Sequence, residues 1–184
     1  FRRVLFRSAG IAPAVEDAMN AGIPIIAVDT GVTGADVTSF VATDNLAVAK
    51  VQGAVAATLV ANGDTIIYVT GNQAQTTGQE RRDGFLSAFA SARPDSKVLI
   101  VPTEWNSAQA QSGVEAVLNA NSDVKMVANA WDGGTMGAKA ALENLGYKAG
   151  QVKLVGFDGA GDAIEAMEAG WVHADTAQIG RAHV

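Results

Sequence analysis

What most constrains this chain is a recurring unit: an apolar strand, a short polar or glycine-containing loop, an amphipathic helix and a tight turn, repeated from residue 13 to residue 178. The repeat is one of structural units, since no sequence motif recurs. Strands separated by helices of about 10 to 15 residues pair in parallel, because each helix carries the chain back to the starting end of the sheet. The fold class that follows is α/β, a doubly wound parallel sheet with right-handed crossovers.

The pattern predicts a first helix over Pro13–Ala21, stopped by Gly22. A strand over Ile23–Val28 follows, and its unbroken apolar run reads as buried on both faces. A short strand, Ser39–Ala42, precedes a long helix over Asn45–Ala61 with Thr43 or Asp44 as its cap. Five further strands are expected over Thr65–Val69, Lys97–Val101, Val124–Asn129, Val152–Phe157 and Trp171–Asp175. Helices over Thr77–Ala92, Ser107–Ala120, Gly134–Leu145 and Asp162–Ala169 lie between them. The helix from Asn45 opens a second lobe. Residues 9–43 then form part of one lobe and residues 44–178 a near-complete second one. The first lobe's remaining strands are expected upstream of Ala9 and downstream of Gln178.

The two ends do not match the rest. Phe1–Ser8 places three arginines in an otherwise acidic, alanine-rich chain. Ile179–Val184 back-translates into a sequence resembling a short-read sequencing adapter. Residues 1–8 and 179–184 are therefore expected to be non-native and stand outside fold reasoning. The formal net charge is −6 and no basic patch is visible, which argues against a nucleic-acid surface. The absence of cysteine excludes disulfide frameworks, thiolate metal sites and cysteine nucleophiles. No apolar run approaches the roughly 18 to 20 residues a membrane span needs.

Ligands of open α/β sheets bind beyond the carboxyl ends of the strands, which narrows the candidates. Asp29 follows the strand ending at Val28. Gly71, Asn72 and Gln73 follow Val69; Glu104, Trp105 and Asn106 follow Val101 and Pro102. Trp131 and Asp132 follow Asn129, Asp158 follows Phe157, and Gln178 follows the last strand. Arg81 and Arg82 stand in the first turns of a helix beside a strand end. Carboxylates accept hydrogen bonds from hydroxyls, and arginine donates up to five in a fixed fork. Indole faces pack on the C–H faces of a sugar ring. Two tryptophans at loop tips, in a chain only 6% aromatic, point to a binding surface. Together these groups suit a small polyhydroxylated ligand. Asp158 has a second reading as a helix cap, a role Asp162 could also fill. Arg82 reads as a solvated helix residue, and from its spacing alone Arg81 does too.

The chain contains no G-x-G-x-x-G, Walker A, G-x-S-x-G or H-E-x-x-H motif. His183 lies in the foreign tail. His173 alternates with Val172 on an edge-like strand and reads as solvent-facing. Paired acids without a base tuned by burial suggest binding. The expectation is no catalytic residue, no metal and no cofactor.

The runs AGIPIIAVDT, ATDN, QERRDGF and LVGFDGAGDAIEAMEAGWVHADTAQ, in this order, resemble the periplasmic sugar-binding proteins of the ribose-binding type. The resemblance covers residues 9–178. It implies the type I periplasmic-binding-protein fold, two similar lobes that close by a hinge over a sugar. It also implies ligand contacts from Asp29, Arg81, Trp105, Asp158 and Gln178. Trp131-Asp132 stands where the family often has Asn-Asp, and Thr30 where it often has arginine. These departures leave the sugar open among pentoses, hexoses and sugar alcohols. The implied role is the solute-binding component of an ABC sugar importer. Its partners would be a membrane permease and a chemoreceptor, in the periplasm or lipid-anchored outside a Gram-positive cell. The alternative is the effector-binding domain of a LacI-type transcriptional regulator, which shares the fold and the R-x-x-G-F element.

Overall fold

A computed structural model describes residues 10–178. The expectations for residues 1–8 and 179–184, His183 included, lie outside the described residues. Two parallel sheets are present among them. After α1 (Ala12–Asn20), β1 (Ile26–Val28) and β2 (Ser39–Val41) form a two-stranded sheet. From α2 (Asn45–Thr58) onward come β3 (Thr65–Val69), α3 (Thr76–Ala92), β4 (Lys97–Val101), α4 (Ser107–Ala120), β5 (Val124–Asn129), α5 (Asp132–Asn144), β6 (Lys153–Asp158), α6 (Gly161–Glu168) and β7 (Val172–Ala177). These strands form a second sheet in the order β4-β3-β5-β6-β7, parallel throughout.

The central strands carry continuous apolar runs because helices cover both of their faces. Ile66, Ile67, Tyr68 and Val69 of β3, Met126 and Val127 of β5, and Leu154 and Phe157 of β6 are fully buried. α2 packs on α3, and α4 on α5. The α2–α3 contact is closed by two glycines. A Cβ on Gly53 would stand 2.5 Å from the Phe85 carbonyl, and one on Gly84 2.5 Å from the Leu46 carbonyl. Tyr68 of β3 stacks on Phe85 of α3 at 4.4 Å between ring centroids, which locks this layer to the sheet.

Three expectations need correction. The strand expected over Ile23–Val28 shortens to Ile26–Val28. Pro24 has no N–H to give, and the Ile25 N–H goes to the Thr38 hydroxyl at 3.0 Å instead of to a strand carbonyl. Nor is that strand buried on both faces: Ile26 and Val28 are 65% and 69% exposed, because only β2 pairs with it among the described residues. His173 is half-buried rather than solvent-facing. Its ring lies 3.2 Å from Lys153 Nζ and accepts from the Leu154 N–H at 3.4 Å.

Other differences are matters of boundary. α2 stops at Thr58, where a tighter turn forms from Leu59 N–H to the Ala56 carbonyl. α5 starts at Asp132, two residues early, since an acid is favoured in a first helical turn. Of the two candidate caps for α2, Asp44 fills the role, accepting from Ala47 N–H at 3.0 Å. α6 begins at Gly161 with no side-chain cap, so neither Asp158 nor Asp162 caps it.

Candidate functional site

The strand order reverses at β3: the chain runs outward to β4 and then crosses to β5 on the other side. A crevice opens at such a switch point, beyond the carboxyl ends of β3 and β5. The loops after β3, β4, β5 and β6 supply its lining.

Arg81 forms the floor. It sits in the second turn of α3 yet is 3% exposed. Its Nε donates to Asn45 Oδ1 at 2.9 Å, and its Nη1 donates to the Ala130 carbonyl at 2.7 Å and to Asp158 Oδ1 at 3.1 Å. The guanidinium lies 4.0 Å from the centroid of the Phe157 ring, a cation–π contact in a desolvated setting. Three elements therefore fix one cation in place. Asp158 Oδ1 also accepts from Gln178 Nε2, and the Gln178 N–H donates to the Asp158 carbonyl at 3.1 Å. The Thr43 hydroxyl donates to Gln178 Oε1 at 3.3 Å, tying together the segments that leave β2 and β7.

The wall is aromatic. Trp105 lies with its indole against Gly71, where a Cβ would stand only 2.0 Å from the ring. Its indole N–H donates to Gln75 Oε1 at 2.5 Å. Its ring meets Trp131 edge-on, with centroids 5.3 Å apart and planes at 88°. Trp131 is 9% exposed and packs on Gly133 and Gly134 of its own helix start. Trp131 thus lies against Trp105 and is the more buried of the two.

Asp29 comes from the small sheet. The loop it opens reaches the N-terminus of α3: the Thr77 hydroxyl donates to the Asp29 carbonyl at 3.3 Å and lies 3.0 Å from the Thr30 hydroxyl. Gly31 N–H donates to the Thr76 hydroxyl at 3.3 Å. The Asp29 side chain itself is exposed.

Asp132 has a different role from its neighbours. It is 2% exposed, and its two oxygens accept from Phe157 N–H at 3.1 Å and Ala160 N–H at 2.7 Å. It therefore clasps the loop that carries Asp158. Burial holds its carboxyl well above the usual range, at about 7, with the nearby Asp175 charge adding to the effect. Asp175 is raised for the same first reason.

The remaining candidates serve the loops themselves. Asn72 donates to Glu104, Gln73 donates to the Gly71 and Gly78 carbonyls, and Asn106 caps α4. Arg82 pairs with Asp83 and donates to Gln73 Oε1 at 2.6 Å, and is half-buried rather than fully solvated.

Among the described residues, the non-glycine positions with positive φ are Asp29 (70°), Trp105 (58°) and Asp158 (133°). Each such backbone costs about 1–3 kcal/mol and persists only where the surroundings enforce it. Residues that spacing alone did not reveal are Asn45, Gln75, Thr77 and Asp175. Asp175 could have been noticed as an acid inside a strand pattern.

The fold is an α/β domain with parallel sheets, and the loops beyond its strand ends bring hydrogen-bonding and aromatic side chains together. Residues 5–182 match the family described as periplasmic binding protein domain, and the chain belongs to that family. It is 35% identical over 146 residues to the D-allose-binding periplasmic protein of Escherichia coli K12, covering 79% of this chain and 47% of that one. It is 31% identical over 172 residues to the ribose import binding protein of Salmonella typhimurium LT2, covering 94% of this chain and 57% of that one. The chain thus spans about half the length of these relatives. A solved ABC transporter solute-binding protein from Actinobacillus succinogenes with bound D-allose superimposes with a TM-score of 0.80. The identity is 28%, over 92% of this chain and 63% of that one.

Proposed function

We propose that the protein is the solute-binding component of an ABC sugar importer and takes an uncharged monosaccharide or sugar alcohol between two lobes. The observation that carries this reading is the site's left-handed trio. The structure maintains unfavourable backbone at Asp29, Trp105 and Asp158, and at no other non-glycine residue among those described. Asp158 and Arg81 balance each other's charge, so the floor offers acceptors and donors to hydroxyls without demanding a charged ligand. Trp105 offers its indole to C–H groups. Residues 9–43 belong to the first lobe and 44–178 to the second, with Thr43 and Gln178 at the crossings. Asp29, Arg81, Trp105, Asp158 and Gln178 contact the ligand, and Trp131 and Asp132 hold two of them in position.

The relatives named above are a periplasmic sugar-binding protein and an import binding protein, which supports a permease as partner and the periplasm as location. The same names favour an importer over the regulator alternative. Binding without turnover is the expected activity.

Thermal denaturation against a panel of uncharged monosaccharides and polyols tests the reading. A ligand at one hundred times its Kd stabilises by about 2.7 kcal/mol, which raises Tm by about 5–10 °C in a chain of this size. No shift with any member of the panel would refute it.

A further inference from the structure

Gly156 of β6 pairs with Asp175 of β7. A Cβ on Gly156 would stand 2.7 Å from Asp132 Oδ1 and 3.0 Å from Asp175 Oδ1. Two carboxyl oxygens therefore flank one empty side-chain position inside the protein. Both oxygens of Asp132 accept backbone N–H bonds, from the residues on either side of Asp158-Gly159. Both oxygens of Asp175 are buried and no donor meets them in full hydrogen-bond geometry, although the Thr176 and Gly159 N–H groups lie close enough to offset part of the burial. Two carboxylates so placed repel each other in a low-dielectric interior, and a single proton between them turns that repulsion into a hydrogen bond.

Among the described residues, the charged groups around the pair leave no other counter-ion. β6 contributes Asp158, whose charge is balanced by Arg81 of α3 at 3.1 Å. α6 contributes Asp162, which is exposed and accepts from Ala163 N–H at 2.9 Å. On α5, Lys139 is engaged with Glu143 at 2.7 Å. Lys153 of β6 and His173 of β7 lie against each other.

We propose that Asp132 and Asp175 share one proton, and that this proton holds the Phe157–Ala160 loop, and Asp158 with it, in the geometry that receives the ligand. The link to the ligand rests on the reading of Asp158 given above; the shared proton does not.

The sign of the pH effect follows from the raised carboxyls. An unfolded aspartate titrates near 4, whereas burial holds Asp132 at about 7. The folded state therefore keeps a proton that the unfolded state has released. The stabilisation is fully present below about pH 4 and is lost as pH rises through about 7. Burial lowers His173, which gives stability the opposite slope over part of this range. His173 is common to all variants, so the difference between wild type and variant isolates the pair.

The test is urea denaturation of the full chain without ligand, from pH 5 to pH 9, for wild type, Asp175→Asn and Asp175→Thr. The expected result is that the variants gain on wild type steadily as pH rises and have the higher midpoint at pH 8.5. An infrared band of a protonated carboxyl at pH 6 is expected in wild type, and in both variants it is expected to be shifted or lost, because the partner carboxylate is gone. A wild-type-minus-variant midpoint that does not change with pH, together with no such band, would overturn the shared proton. In a second arm, affinity for the best-stabilising sugar is expected to fall from pH 6 to pH 8.5 in wild type and to stay level in Asp175→Asn. Affinity equally level in both would overturn the link to Asp158. If no sugar binds at all, the denaturation and infrared arm still decides the shared proton by itself.

Discussion

Arg81 Nη1 and Asp158 Oδ1 stand 3.1 Å apart, with side chains 4% and 12% exposed, and join α3 to the end of β6 at the base of the crevice. The pair is held from both sides, Arg81 by Asn45 and Ala130, Asp158 by Gln178. A ligand that accepts from Arg81 or donates to Asp158 thus meets groups already in place.

Arg81→Lys should therefore behave as a loss, although it keeps the charge. Lysine has no planar fork to reach Asn45, Ala130 and Asp158 at once. Calorimetric titration should show affinity reduced by about 2–3 kcal/mol, the scale of a lost charge-assisted hydrogen bond. Affinity equal to wild type would remove Arg81 from the site.

Gly71→Ala should displace Trp105, since the new Cβ would lie 2.0 Å from its ring. Ligand affinity should fall and tryptophan emission should shift. Gly161→Ala is the control, because nothing lies within 4 Å of its Cβ position. Matching affinities and spectra for the two variants would show that Trp105 is not fixed by Gly71.

Gln52→Leu should destabilise the protein without reaching the crevice. Gln52 Nε2 donates at 2.8 Å to both the Asn129 and Gly156 carbonyls, bridging the ends of β5 and β6. Leucine fills the space but leaves both carbonyls unpaired, at about 1–3 kcal/mol for a buried group. A lower urea midpoint is the expected outcome; an unchanged one would mean that these carbonyls find other partners.

The five strands of the large sheet and the helices between them were legible, because strands buried on both faces leave continuous apolar runs whereas the apolar residues of helices recur at about 3.6 residues. That Asp29, Trp105 and Asp158 stand beyond strand ends was legible, because strand ends are where an α/β sheet places its chemistry; Arg81, inside a helix, stood out only through the family resemblance. Less legible was what depends on pairing across the chain. The roles of Asn45 and Gln75 are set by neighbours 36 and 30 residues away. The partnership of Asp132 with Asp175 arises only because β6 and β7 bring Gly156 between them. The burial of β1 was overestimated because an apolar run records what a strand can bury, not which strands cover it.

The most direct test of the central claim is isothermal titration of the full chain and of Asp158→Ala with D-allose, D-ribose and myo-inositol, with the sugar recovered and analysed afterwards. The account predicts saturable 1:1 binding of at least one of these or a related uncharged sugar. It also predicts a loss of about 2–3 kcal/mol in Asp158→Ala, and sugar returned unchanged. Equal affinity in wild type and Asp158→Ala, or a chemically altered sugar, would contradict it.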